Sequence, residues 1–229
     1  MPDQDYVIAG LAVEGIAGSS GQGIYATIGT SGVRNITLSH VIVNGETAAY
    51  GAGFGLFGAS GDVLIEGSTF QGNTSTSSAA SDGGGAVDLD NLGGSVTVRH
   101  SVFDSNISAN TGGGLRLRND GFVGLLTVED STFDSNESAG AGGGLFVESI
   151  ASANSVLISS STFSGNSVGD GQTGVSVSAL DILVESTSST PPSTNRDSAP
   201  SPSRATSTGA CSTSGTRRSR VMVLSPLRP

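Results

Sequence analysis

Short runs of alternating apolar and polar residues, separated by clusters of Gly, Ser and Asn, occupy most of this chain. The stretch from Gly142 to Asn166 is typical. Leu145 and Val147 alternate with Phe146 and Glu148, and Val156 and Ile158 alternate with Leu157 and Ser159. A period of two marks a strand with one face turned inward. Ser161 and Phe163 continue on the inward parity, and Asn166 follows three residues after the ring. Gly and Ser clusters punctuate the strands, and nothing reads as a capped helix.

The same pattern recurs along the chain. VRHSVFDSN (98–106), VEDSTFDSN (128–136), ISSSTFSGN (158–166) and IEGSTFQGN (65–73) are near copies, and their anchors Phe70, Phe103, Phe133 and Phe163 stand 33, 30 and 30 residues apart. Around each ring the positions agree. Val63, Val96, Leu126 and Val156 lie seven residues before it, and Ile65, Val98, Val128 and Ile158 five before. Ser68, Ser101, Ser131 and Ser161 lie two before, and Asn73, Asn106, Asn136 and Asn166 three after. Weaker copies with Val43 and Val13 as anchors extend the frame toward the N-terminus, giving six units. A fixed period near 30 residues predicts stacked supersecondary units, none of which closes a core alone.

A coil of parallel strands accounts for these columns. Equivalent residues would stack about 4.8 Å apart, so six units would form a column of roughly 30 Å. Inward Val, Ile, Leu and Phe become apolar stacks, and the inward Asn residues can bond amide to amide. The fold class expected is all-β: a right-handed single-stranded parallel β-helix of about six rungs over residues 6–186. A leucine-rich repeat fits less well, because the connectors are rich in Gly, Ser and Asn rather than helix formers. A six-residue coil period is absent, and Gly83–Asp88 does not match the calcium-binding nonapeptide.

Ile182–Thr187 begins another unit, but Ser189 stands where Phe is due. Residues 187–229 then become rich in Ser, Thr, Pro and Arg and are expected to be a disordered tail. Two readings compete, a linker and an altered reading frame. The abrupt change in mid-repeat favours the second, and a single uninterrupted frame through codon 189 would exclude it. With no end cap visible, the repeat domain reads as part of a longer solenoid, and an uncapped last rung invites end-to-end association.

Charge follows the same division. Residues 1–186 hold nineteen acids and four Arg, a formal balance of −15, whereas the rest hold one acid and six Arg, a balance of +5; Lys is absent. An anionic body argues against nucleic acid and anionic membranes as partners. Cys211 is the single cysteine, so no internal disulfide is expected. No apolar run is long enough to span a membrane, and the opening MPDQDYVIAG lacks the basic and apolar regions of a signal peptide.

The outward positions are the place to look for chemistry. Aligning Val87, Leu115 and Leu145 stacks Asp88, Arg116 and Phe146 in one outward column and Asp90, Arg118 and Glu148 in the next. One reading is an acid/base and sugar-binding patch with Phe146 as a platform. The plainer one is a solvated ion-pair ladder worth about 0.2–1 kcal/mol per pair; the balance of charge favours the ladder, and no catalytic residue is assigned. Asp104 and Asp134 follow the anchor rings and read as turn residues, with calcium the alternative. No other cofactor is suggested. His40 and His100 share an outward position with Gly67 between them, too few ligands for a metal site. Four Asn-x-Ser/Thr matches, at Asn35, Asn73, Asn106 and Asn136, arise mostly from the inward Asn column.

The FxxN pairs (Phe70–Asn73, Phe103–Asn106, Phe133–Asn136, Phe163–Asn166) and the GGG[AL] runs (Gly83–Ala86, Gly112–Leu115, Gly142–Leu145) resemble those of right-handed parallel β-helix proteins of the pectate-lyase-like superfamily. The nearest likeness is to polymorphic outer-membrane protein repeats and similar bacterial adhesin-like surface proteins. The resemblance implies an extracellular or outer-membrane setting for the parent protein and a carbohydrate or cell-surface partner. It implies a non-catalytic structural or binding segment first, and a fragment of a polysaccharide lyase or glycoside hydrolase second. The NTD, DD, HG and RIK motifs of polygalacturonase-like members do not occur.

Overall fold

A computed structural model of the chain describes residues 5–15, 21–27, 35–79, 81–119, 124–149, 155–169, 175–178 and 181–185. Every element among them is a β-strand, and all named strand pairs are parallel. No described helix is therefore long and apolar enough to cross a membrane. The tail expected from residue 187, and Ser189 with it, lie outside the described residues.

Each complete turn of the coil contributes one strand to each of four sheets. The first sheet holds Tyr6–Ala9, Ile36–Ser39, Val63–Glu66, Val96–Arg99, Leu125–Glu129, Ser155–Ser159 and Asp181–Glu185. The second carries the anchor rings on Thr69–Gln71, Val102–Asp104, Thr132–Asp134 and Thr162–Ser164, preceded by Ala12–Glu14 and Ile42–Asn44. The third is built from two-residue strands such as Ile107–Ser108. The fourth follows the Gly runs: Ile24–Thr27, Phe54–Phe57, Val87–Asp90, Leu115–Asn119, Leu145–Ser149 and Val175–Ser178. Five turns carry all four strands, so the six rungs expected become about five complete turns of a parallel β-solenoid, flanked by a three-strand turn and a last single strand.

The inward columns are those the spacing predicts. Val63, Val96, Leu126 and Val156 pair in register, as do Phe70, Phe103, Phe133 and Phe163. The four rings stack with centroids 5.3, 4.4 and 4.7 Å apart and planes within 17° of parallel. Such contacts contribute about 0.5–1.5 kcal/mol each beyond the area they bury. Leu38, Ile65, Phe70, Phe103 and Phe133 are fully buried.

The Asn column is a ladder of amides. Asn73, Asn106 and Asn136 each donate from Nδ2 to the Oδ1 of the next Asn, at 2.9–3.0 Å, and also to a carbonyl of an earlier turn. Each Oδ1 also accepts the backbone N–H of the preceding turn, as Asn106 does from Asn73 at 3.0 Å. Glu46 stands in this column one turn before Asn73, and its N–H donates to Asn73 Oδ1. The Ser column works alike: Ser101 Oγ donates to Arg99 O at 2.8 Å and accepts Ser68 N–H at 3.2 Å. Both columns keep polar groups bonded inside a core that excludes water.

The corners between sheets are left-handed. Three residues before each anchor, Gly10, His40, Gly67, His100, Asp130 and Ser160 all have φ between 45° and 63°. His40 and His100 are thus turn residues in a conformation that Gly adopts freely and His, Asp and Ser tolerate.

Candidate functional site

The fourth sheet carries the outward strip. Its register is the one aligned from the sequence: Asp88 pairs with Arg116 and Arg116 with Phe146, while Asp90 pairs with Arg118 and Arg118 with Glu148. The column continues on the other side through Gly55 to Tyr25, and the neighbouring one through Phe57 to Thr27.

The environment of the first column differs from a solvated ladder. Asp88 and Arg116 point away from the solenoid core, yet both are fully buried. Arg116 Nη1 donates to both carboxylate oxygens of Asp88, at 2.9 and 3.1 Å, and to the Ser81 carbonyl at 2.9 Å. Part of the cover is the connector in the 33-residue turn, whose described residues are 76–79 and 81–83 and whose Ser81 carbonyl and Gly83 lie against Arg116. It is tied down by its own bonds: Ser77 Oγ and Ser81 Oγ donate to Asp82, and Asn110 Nδ2 donates to the Ala79 and Asp82 carbonyls. Gly83 is required where the connector crosses the arginine, because an added Cβ would lie 2.4 Å from Arg116 Cδ and 2.7 Å from the Thr111 carbonyl.

Burial sets the electrostatics of this pair. Loss of hydration raises the Asp88 carboxyl from 3.8 to about 7, against the attraction and hydrogen bonds of Arg116, and Asp90 and Asp82 push the same way as burial. Asp90 is also buried, at 8% exposure. The second column is more open: Arg118 Nε lies 3.6 Å from Glu148 Oε2, with the side chains 28% and 46% exposed. Phe146 is half-buried in the strip.

The other candidates lie apart. Asp104 accepts from Gln71 Nε2 and Ser105 Oγ, and Asp134 from Ser164 Oγ and Ser135 Oγ, on the outward side of the second sheet. His40 bonds Ser39 Oγ through Nδ1 at 2.7 Å, and its ring lies over Gly67. His100 Nε2 lies 3.6 Å from Asp130. Among the described residues no three His, Cys, Asp or Glu side chains converge on a point where a metal could sit. Asn73, Asn106 and Asn136 are fully buried, and Asn35 sits instead at the entry to the first sheet, its Oδ1 accepting Asp62 N–H.

One cluster escapes the sequence alignment of the Gly runs. Tyr25, Tyr50 and Phe57 meet on the outer side of the fourth sheet, with centroid separations of 6.3, 6.1 and 5.3 Å. Thr27 Oγ1 donates to Tyr25 Oη at 2.8 Å, and Gln22 Nε2 donates to the Tyr50 carbonyl at 2.8 Å. The Tyr50 phenol is raised above its ordinary value, first by its hydrogen bond with Tyr25 and then by partial burial. Extending the frame of Val87 to GAGFGLF (51–57) and to Ile24 would have placed Tyr25 and Phe57 outward.

The outer strip thus combines a buried Asp–Arg pair, a more open Arg–Glu pair and a half-exposed aromatic cluster. No family model matches the chain, and no curated protein or solved structure matches it, so its kind is established as far as the parallel β-solenoid.

Proposed function

We propose that this chain is a non-catalytic structural and binding segment of a bacterial secreted or cell-surface protein, of the adhesin-like kind that its FxxN and Gly-run repeats resemble. The observation that carries the reading is the burial of Asp88 and Arg116 against each other. They are the acid and cation couple at the centre of the outer strip, and a substrate would have to displace the chain at Ser81 and Gly83 to reach the Arg116 guanidinium. The remaining recurrent residues, the Phe, Asn and Ser columns, are committed to the interior.

A carbohydrate-active enzyme fragment is the second reading. It is favoured by the Asp88 carboxyl, raised to about 7, where a general acid operates near neutral pH. Incubation with polygalacturonate and alginate, followed by absorbance of unsaturated products and by reducing-end release, separates the two. No turnover is expected. Turnover that Glu148→Gln or Arg118→Ala abolishes would overturn the first reading.

A further inference from the structure

We propose that Tyr25 and Tyr50 form an oxidative cross-linking site, where a one-electron oxidant joins their rings and ties the first turn of the coil to the second. Such a site is independent of whether the segment binds or cleaves anything.

Composition makes the site selective. The chain has three tyrosines, Tyr6, Tyr25 and Tyr50, and no Trp. Cys211, Met1 and Met222 lie outside the described residues, so among those no Trp, Cys or Met side chain competes with the phenols for an oxidant. Two of the three phenols meet across adjacent turns. Tyr25 stands on Ile24–Thr27 of the first turn, and Tyr50 on the connector that leads into Phe54–Phe57 of the second. Tyr6 belongs to the first sheet.

The geometry favours coupling. The Tyr25 and Tyr50 rings have centroids 6.3 Å apart and planes at 57°, and their phenols share a hydrogen bond. Hydroxyls in contact bring the adjoining Cε atoms near one another, and those carbons carry unpaired spin in a phenoxyl radical. Phe57 backs both rings, with centroid separations of 6.1 and 5.3 Å. Gln22 Nε2 holds the Tyr50 carbonyl, and Thr27 Oγ1 the Tyr25 hydroxyl, each at 2.8 Å. The Tyr25 ring rests on Gly55, where an added Cβ would lie 3.1 Å from Cδ2 and push the ring away. Tyr25 is 49% exposed, so an oxidant in solvent reaches it.

The chemistry balances with hydrogen peroxide acting through a peroxidase. Each phenol gives up one electron and its hydroxyl proton, and the two radicals form a Cε–Cε bond. The hydrogen on each bonded carbon then moves to the neighbouring oxygen, which restores two phenols. Peroxide takes the two electrons and two protons and becomes two molecules of water.

The bond would act on the end of the coil. Among the described residues the first turn is paired with the second alone, and it adds no strand to the third sheet. A turn held on one side opens more readily than one held on both. A link between residues 25 and 50 spans that boundary and restricts the opened chain, as a disulfide would.

The test treats the full chain, dilute, with peroxidase and hydrogen peroxide, beside free tyrosine as a control for oxidant activity. Dityrosine fluorescence is expected in the monomer. Trypsin cuts at Arg34, between the two residues, and should leave peptides 1–34 and 35–99 joined and lighter by two hydrogens than their sum. Tyr25→Phe and Tyr50→Phe, which keep the rings, should each lower the yield at least tenfold, and Tyr6→Phe should leave it unchanged. Oxidation in urea should lower it by a similar factor, because only the folded chain holds the rings together. No dityrosine, dityrosine confined to dimers, or a yield that survives Tyr25→Phe or urea would overturn the proposal. In the cross-linked monomer, amide hydrogen exchange across Ile24–Thr27 should slow; unchanged exchange would overturn the tying of the first turn.

Discussion

The Asn corner beside the anchor rings and the outer strip of the fourth sheet both bury polar groups, and they satisfy them in opposite ways. In the corner, each Asn is bonded by its own counterpart one turn away, so one residue type repeated in register completes the network. In the strip, Asp88 is satisfied by an unlike residue on the next turn, Arg116, which also donates to a connector that occurs once. Repetition makes the corner insensitive to which turn is considered. The strip depends on one particular set of neighbours, and a single change there takes the counter-ion from a buried charge.

The largest expected effect is in the corner. Asn106→Leu removes the acceptor for Asn73 N–H and Nδ2 and the donor to the Phe70 carbonyl and Asn136 Oδ1. Asn73 N–H and the Phe70 carbonyl lose these side-chain partners, while Asn73 Nδ2 keeps the Val43 carbonyl and Asn136 Oδ1 keeps the N–H of residue 106. Two orphaned groups at about 1–3 kcal/mol each, beside two weakened ones, predict a loss of up to about 6 kcal/mol, read from urea unfolding. A loss near 1 kcal/mol would mean that the ladder contributes little beyond filling space.

Next comes the pair in the strip. Asp88→Leu leaves the buried Arg116 cation, which cannot lose its charge, and should cost about 3–5 kcal/mol. The double variant Asp88→Leu, Arg116→Leu should recover most of this or exceed the parent. If the double variant is as unstable as the single one, packing under the connector, not charge, governs the site.

The pH dependence follows from the raised carboxyl. Between its ordinary value of 3.8 and about 7, folded Asp88 keeps a proton that the unfolded chain releases. The folded state therefore binds more protons, and the stability from this group, complete below pH 4, is lost as pH rises through about 7. Arg116→Leu should sharpen the contrast, costing less at pH 5 than at pH 8, because Asp88 can then neutralise. Urea midpoints at the two values, with the double variant as reference, check the sign.

The smallest effect is expected at the open pair. Arg118→Ala should change stability by less than about 1 kcal/mol, since its contact with Glu148 is long and partly solvated. Thermal unfolding of this variant beside Asp88→Leu would show how far two positions in adjacent columns differ by burial alone.

Much of the corner was legible in the sequence, because its residues recur at fixed distances from the rings and their inward parity follows from a period of two. Val63, Ser68, Phe70 and Asn73 each find their counterparts 33 residues later by spacing alone. The strip was legible in register but not in environment. Alternation places Asp88 outward; the close passage of Gly51 beside Asp88, and of Ser81 and Gly83 over Arg116, makes outward mean buried. The signal available was the 33-residue spacing between Phe70 and Phe103, which announces additional chain in that turn. A further ladder was hidden because its residue types differ. Asp5, Asn35, Asp62 and Ser95 each precede a first-sheet strand, and each side chain accepts the N–H of its counterpart position one turn on. Chemistry shared by unlike residues gives no repeated letter to find.

The stacking itself has a mechanical consequence. First-sheet partners are 30, 27, 33, 30, 30 and 26 residues apart along the chain. Each turn is held only by its two neighbours, so tension applied between the ends should peel the coil one turn at a time. A 30-residue turn would pay out about 100 Å of extended chain. Single-molecule force traces should therefore show a train of similar steps, with the 33-residue turn releasing the longest length and the stretch before Ile182 the shortest.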